Sequence, residues 1–425
     1  MGQIGFGSYR ISIRSKEHKK ALVSALSLGC PLIDTSSNYT NGESEELIGS
    51  VLNENPNFKP ILVTKAGYIQ GNNLKVIEEL NELGLAVEDL VDLGSELKHS
   101  IHPEFLQNQI DLSLKRLKRK SIDIFLLHNP EYYFKSNGAN QDEYYRRIMK
   151  AFLFLEEEVS KGRIKSYGIS SNNFILPLNH PEVTDLFKIL KMTKQILPKN
   201  NFTTIQFPFN LIEISALEKF GEFGDQSLLE LAKANGLITM VNRPLNAFKE
   251  NKLVRLATYE FLTENFDEEE ALKDFETGMK LIEEKWKLSS ADDEMAQGED
   301  FLEISLIKQF KELWNTLPSP DAVDQIYHGH FFPFLARIWG NGGLTALEAD
   351  PFYKLFGHSQ FFARKNMTKK ALEFKAQAAA VGLIESESTQ PFAVEVLETY
   401  LNYGFDYVLV GMRKPEYVNQ LSRYF

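Results

Sequence analysis

One cysteine in 425 residues, Cys30, leaves no pair for an intramolecular disulfide, so a reducing, cytoplasmic setting is the expected one. Basic charge is in deficit as well: 47 Lys and Arg stand against 58 Asp and Glu, a net charge of −11. That excess of acid excludes a broad basic face for nucleic acid. No apolar run reaches the roughly 18 residues that a membrane span requires, so no membrane role is expected. The first residues show no basic segment followed by an apolar core, and no targeting signal is expected there. Histidines are few, and His328-Gly329-His330 has no further ligands at suitable spacing, so no metal is expected. What remains is a protein acting on small molecules.

What is present is a regular alternation of strand and helix patterns. Short apolar runs start at residues 4, 32, 61, 122, 166, 203, 237 and 407. Between most of them lie helical stripes, such as Leu47, Ile48, Val51 and Leu52, or Ile148, Phe152, Leu155 and Val159. A further helix is expected over Val183 to Leu190. Eight strands alternating with helices read as a (β/α)8 TIM barrel, with a doubly wound open sheet as the alternative. The last gap, 170 residues, far exceeds the others, and roughly 250 residues suffice for such a barrel. The spacing therefore predicts barrel strands 1–7 over residues 1–249, a large, mainly helical insertion over 250–375, and the final helix, strand 8 and a C-terminal helix over 376–425. The insertion carries acidic runs at Asp267 to Glu270 and Asp292 to Glu294, and aromatic anchors Trp286, Trp314, Phe331, Phe332, Phe334 and Trp339. Following a strand, it is expected on the catalytic face.

The stretch from Leu32 to Leu47 sets Asp34 at a strand end and Tyr39 on the loop after it. Lys65 follows the run Ile61 to Thr64, and His128 follows Ile122 to Leu127. Three strands thus deliver ionisable groups from their C-terminal ends, the face of a parallel α/β fold where chemistry collects. Taken singly, each has an ordinary reading: a strand-end Asp as a cap, a loop Tyr as surface, a lone His as structure. After Lys65 the rhythm breaks, and residues 66 to 102, with Tyr68, Glu96, His99 and His102, form either a substrate loop or a solvated one.

Together with Gly5-Phe6-Gly7, Gly42-Glu43-Ser44-Glu45, Leu127-His128-Asn129-Pro130, Gly162-Arg163-Ile164, Gly168-Ile169-Ser170-Ser171-Asn172 and Gln206, these residues resemble the aldo-keto reductase family. The resemblance covers about residues 2 to 248 and 390 to 421. It implies a barrel that binds NADP(H), or less often NAD(H), and moves hydride between it and a carbonyl or alcohol. Reduction of a carbonyl puts negative charge on oxygen, so a proton donor must act as hydride arrives. Tyr39 is the expected acid, Lys65 its tuning charge, Asp34 the partner of Lys65, and His128 the group that aims the carbonyl.

For the cofactor, the resemblance implies Ser170, Ser171 or Asn172, with Gln206, at the nicotinamide carboxamide, and Pro244 and Leu245 along the pyrophosphate. Gly411, Met412, Arg413, Tyr417 and Gln420 match the phosphate and adenosine segment, and Arg413 with Lys414 favours NADP(H) over NAD(H). Two positions depart from the family pattern: Asn242 stands where an aromatic residue usually stacks on nicotinamide, and Leu421 where an asparagine is usual. Tyr68, Asn129 and Arg243 are substrate-side candidates, Arg243 having a surface salt bridge as its alternative. The rival to an enzyme is a cofactor-binding regulatory or assembly protein on the same scaffold, with the insertion as its partner surface.

Overall fold

Eight parallel strands close into a barrel in the computed structural model: β1 (Gln3–Gly7), β2 (Leu32–Asp34), β3 (Ile61–Ala66), β4 (Ile122–His128), β5 (Ile164–Ser170), β6 (Phe202–Pro208), β7 (Ile238–Asn242) and β8 (Tyr407–Gly411). Strand β8 pairs in parallel with both β1 and β7, which closes the ring and rules out the open sheet. The structure describes residues 2–82, 87–219, 226–249, 252–259, 266–290, 308–340, 343–384 and 390–425.

The period of two along a strand decides what faces the barrel axis. Leu32, Val63, Ile124, Leu126, Met240 and Leu409 come from five strands and pack into one buried cluster. Asp34, Lys65, His128 and Asn242 each lie two residues beyond a member of that cluster, on the same side of the strand and one level nearer the C-terminal ends. An apolar plug thus carries a polar layer on top of it.

Helices between the strands begin where side chains satisfy their first N–H groups. Ser15 caps Lys16–Ser27 and Asn140 caps Gln141–Ser160. Ser227 and Glu230 form a reciprocal capping box on Leu228–Ala234. The helix expected from Val183 starts at Leu186 instead, because the Asp185 carboxylate accepts from the N–H groups of Phe187 and Lys188 and fixes the first turn there. The excursion after Lys65 also has structure of its own. Tyr68–Ile69, Lys98–His99 and Val91–Asp92 form a small antiparallel sheet, with a helix at Asn72–Glu82 between the first and last of these in sequence space.

Contacts divide the chain into two compact units, Met1–Leu253 with Val394–Phe425, and Val254–Ala393. The second unit is mainly helical, with Glu268–Ser290, Pro320–Ile326, Phe332–Trp339 and Ala346–Ala380. Its own core holds Trp314, Phe331, Phe334 and Trp339, with Trp286 and Phe332 packed against it. The acidic run Asp292 to Glu294 lies outside the described residues. Among the described residues, no helix is long and apolar enough to cross a membrane.

Candidate active site

An ammonium with no exposed surface anchors the polar layer. Lys65 is 0% exposed and donates to both carboxylate oxygens of Asp34, at 2.6 and 2.7 Å, and to the Thr35 carbonyl at 2.8 Å. All three of its hydrogens are thereby used, as an ammonium removed from water requires. Burial pulls the Lys65 pKa down, and the charge and hydrogen bonds of Asp34 oppose that pull. The Gln206 amide donates to the same carboxylate at 2.8 Å, while its carbonyl oxygen accepts from Ser170 Oγ at 2.8 Å. Lys65, Asp34, Gln206 and Ser170 therefore form one buried chain across four strands.

Tyr39 opens the turn Tyr39–Gly42 directly after this layer. Three successive residues there are left-handed, Thr40 (φ 46°), Asn41 (φ 58°) and Gly42 (φ 92°). For the β-branched Thr40 this is strained backbone. Two tethers hold it: Thr40 Oγ1 donates to the Ile11 carbonyl at 2.6 Å, and the Asn72 N–H donates to Asn41 Oδ1 at 3.1 Å. The turn brings the Tyr39 ring centroid within 5.0 Å of Lys65 Nζ and 6.0 Å of the His128 ring. Tyr9, 61% exposed, lies edge-on to Tyr39 at 5.0 Å. Burial, then the charge of Asp34, then Tyr9 push the Tyr39 phenol well above its usual range. Burial and the Asp34 carboxylate keep the phenol protonated, and the Lys65 ammonium expected to tune it stands 5.0 Å from its ring.

His128 is 8% exposed, and burial, the Lys65 charge and His99 hold its pKa well below the ordinary imidazole value. It is therefore neutral at pH 7. Tyr68 packs edge-on against it with ring centroids 4.7 Å apart, and Asn129, in left-handed backbone (φ 49°), donates from Nδ2 to the Tyr68 hydroxyl at 2.8 Å. Two of the three substrate-side candidates, Tyr68 and Asn129, thus stand beside His128. His99, from the small sheet, bonds through Nε2 to the His128 carbonyl at 2.8 Å. Gly67 lies so close that a Cβ there would sit 2.3 Å from that carbonyl oxygen.

Other sequence candidates are placed differently. The Ser171 hydroxyl accepts from the Asn173 N–H and bonds Thr184 Oγ1 at 2.9 Å, so it is engaged in capping the turn Asn172–Ile175. The Asn172 N–H donates to Glu131 Oε1 at 2.8 Å. Arg243 pairs with Glu213 at 2.8 Å, the salt-bridge alternative. Pro244 is buried and Leu245 half-buried. Gly411, the last residue of β8, is exposed and Met412 after it is wholly buried, while Arg413, Tyr417 and Gln420 are half-buried. Arg413 acts electrostatically on His18 of helix Lys16–Ser27, and Lys414 Nζ is 3.9 Å from Glu17. His328 and His330 are exposed, and among the described residues no group of three or more metal-ligating side chains occurs.

Sequence reasoning missed Glu131 and Ser36. Glu131 is 7% exposed, its carboxyl pushed up to about 7, by burial above all, and its Oε2 is buried without a hydrogen-bond partner among the described residues. A Glu two residues after a strand-end His-Asn carries no signal of burial. Ser36 sits beneath His128 in a run of small polar residues that reads as an ordinary turn.

Residues 2–253 match the aldo/keto reductase family. An uncharacterized oxidoreductase of Bacillus subtilis is 24% identical over 255 residues, 59% of this chain and 66% of the relative. The NADH-specific methylglyoxal reductase of Escherichia coli is 22% identical over 217 residues, 51% of this chain and 53% of that enzyme. The chain thus spans about half to two thirds of the length of these relatives. A solved aldo-keto reductase from Bacillus halodurans, in its holo form, aligns at 19% identity with a TM-score of 0.36, over 56% of this chain and 61% of its own. The family match takes in more than half of the residues, all seven strands before the insertion and the whole polar layer apart from β8, and on that ground the chain belongs to the aldo/keto reductase family.

Proposed function

We propose that this chain is an NAD(P)H-dependent oxidoreductase that moves hydride reversibly between a nicotinamide cofactor and a carbonyl or alcohol, with Tyr39 as general acid. The observation that carries this reading is the wholly buried Lys65–Asp34 pair, set beneath a phenol that is held protonated and beside a neutral imidazole. A buried ion pair contributes little to stability for the desolvation it demands. Placed against Tyr39, it has a use: the ammonium stabilises the phenolate left when Tyr39 gives up its proton. Asp34 keeps that ammonium charged and in place. His128 contacts the substrate oxygen and fixes its position relative to Tyr39.

The residues present fit a nicotinamide group. Asn242 Oδ1 is buried with no hydrogen-bond partner among the described residues, and its Nδ2 is 3.4 Å from Gln206 Oε1. A carboxamide, which donates and accepts, suits that set of Asn242, Gln206 and Ser170. When bound, the cofactor supplies or takes the hydride. Asn242, at the position of the usual stacking aromatic, would then hold the ring by hydrogen bonds at its edge. The half-buried Arg413 with Lys414 supports NADP(H) through a 2′-phosphate, although one relative is NADH-specific by name.

The test is binding of NADPH and NADH by cofactor fluorescence, then turnover of a panel of small aldehydes by wild type and Tyr39→Phe. Loss of a general acid lowers kcat by about 10²–10⁴-fold, with cofactor affinity unchanged. Arg413→Ala is expected to weaken NADPH binding and spare NADH. Absence of binding by either cofactor, or full turnover by Tyr39→Phe, overturns the reading.

A further inference from the structure

On the helix side of β3, away from the polar layer, a second buried carboxylate joins the two segments that carry Tyr39 and Lys65. Glu45, in the first turn of helix Glu43–Glu54, is 0% exposed. Its Oε1 accepts from Thr64 Oγ1 at 2.6 Å. Thr64 precedes Lys65 in β3, so strand parity turns its side chain away from the barrel axis and towards the helices. Glu45 Oε2 accepts from Arg116 Nε at 2.7 Å, and Arg116 Nη2 lies 2.7 Å from the same oxygen.

Arg116 comes from the last turn of helix Pro103–Leu117, and its side chain runs against Gly42, the left-handed residue (φ 92°) that closes the turn Tyr39–Gly42. A Cβ at Gly42 would stand 3.0 Å from Arg116 Cδ and 3.1 Å from Nε. The backbone of the turn therefore rests directly on the arginine. Through Arg116 on one side and Thr64 on the other, one carboxylate links the turn of Tyr39 to the strand of Lys65.

We infer that Glu45 and Arg116 are positioning residues that set the Tyr39 phenol over the Lys65 ammonium, by fastening the turn of the one to the strand of the other. This rests on the oxidoreductase reading above and deepens it. Tyr39 and Lys65 belong to separate segments, and the ammonium stabilises a phenolate only while the two stay close; ring centroid and Nζ are 5.0 Å apart. A shift of about 1 Å in such a pair costs up to a hundredfold in rate. Thr40 and Asn41 have tethers of their own to Ile11 and Asn72. Arg116 supplies a third at Gly42, and this one leads back to β3.

Glu45 also acts by charge, since its carboxylate helps to keep Lys65 protonated. Position and charge are separable. Removing the carboxylate and removing the guanidinium are opposite changes in charge but the same break in the tether. Removing the Thr64 hydroxyl breaks it with no change in charge.

The test uses Thr64→Val, Glu45→Gln and Arg116→Met in the full chain. Each is expected to lower kcat for aldehyde reduction about ten- to a hundredfold, with KM and cofactor affinity unchanged, and Thr64→Ser restores the rate. Thr64→Val keeps the ion pair, so it decides the matter even where the charge variants fail to fold. A wild-type kcat in Thr64→Val overturns the inference, and so do opposite changes in kcat for Glu45→Gln and Arg116→Met, which assign the effect to charge. Amide exchange read by mass spectrometry needs no turnover. In Thr64→Val the peptide holding Tyr39–Gly42 is expected to exchange faster, with β4 and β5 unchanged. Unchanged exchange of that turn, or equal acceleration throughout the barrel, overturns the tether. A wild type that binds no cofactor and reduces no aldehyde overturns the oxidoreductase reading instead, and the exchange result still decides the tether.

Discussion

Replacing Asp34 by Asn isolates one buried ion pair of the barrel. The substitution keeps the shape and removes the carboxylate bonded to Lys65, whose ammonium has no exposed surface and, among the described residues, retains the Thr35 carbonyl and the amide oxygen of Asn. Breaking a buried pair by removing one partner costs about 3–5 kcal/mol, or close to a thousandfold in the unfolding equilibrium at ~1.4 kcal/mol per tenfold. The cost has a definite pH dependence. In the variant the charge and hydrogen bond of Asp34 that raise the Lys65 pKa are gone, burial is opposed by the charge of Glu45 alone, and the folded-state pKa falls further below its unfolded value. The unfolded chain then binds the extra proton, so stability rises with pH from the depressed folded pKa up to about 10.4, the unfolded lysine value. Asp34→Asn is thus expected to be severely destabilised at pH 6 and progressively less so towards pH 10. Tryptophan fluorescence does not report this, since Trp286, Trp314 and Trp339 all lie in the helical unit. Amide exchange of β2 and β3 does, because those strands carry the pair. Wild-type protection in those strands at pH 6, or a deficit that does not shrink with rising pH, would refute the reasoning.

Three further outcomes are expected. The Glu131 carboxyl, raised from 4.5 to about 7, favours the folded state while protonated, so its contribution is complete below about pH 4.5 and fades as pH rises through about 7, by ~3 kcal/mol in all; urea midpoints of Glu131→Gln should lack that slope, and an unchanged slope would count against a titrating Glu131. Gly168→Ala places a Cβ 1.9 Å from the Thr204 carbonyl oxygen at the register shift between β5 and β6, so a loss of about 1–3 kcal/mol is expected from thermal unfolding. In the helical unit, Tyr327→Phe removes hydrogen bonds to Ser359 Oγ (2.7 Å) and the Leu355 carbonyl (3.1 Å), and tryptophan fluorescence should register a loss of about 1–3 kcal/mol from the buried groups left unpaired.

The barrel was legible because each strand is an apolar run long enough to show its pattern, and because a charged residue at its C-terminal end has no other place to go. Asp34, Lys65 and His128 could be assigned to one face from their places at the C-terminal ends of strands, with the family resemblance supplying their roles, and without knowledge of any contact. The small sheet holding Tyr68 and His99 could not, since two-residue strands are shorter than one period of alternation. Side-chain direction was hidden too. Ser170 and Ser171 are neighbours in sequence, yet one bonds Gln206 in the polar layer and the other caps a turn. Asn242 read as a missing aromatic, while the structure shows an amide that extends the polar layer through Gln206.

The position of β8 has a consequence for synthesis. Strand β8 fills the gap between β1 and β7, but 164 residues separate Asn242 from Tyr407. At about 5–20 residues per second, seven strands wait roughly ten to thirty seconds for the eighth. Throughout that interval the nascent sheet has two unpaired edges, which are the features that invite pairing with another chain. The helical unit, with a core of its own, is complete before the ring can close. Chaperone dependence in the cell should therefore scale with the delay, and shortening the insertion should relieve it.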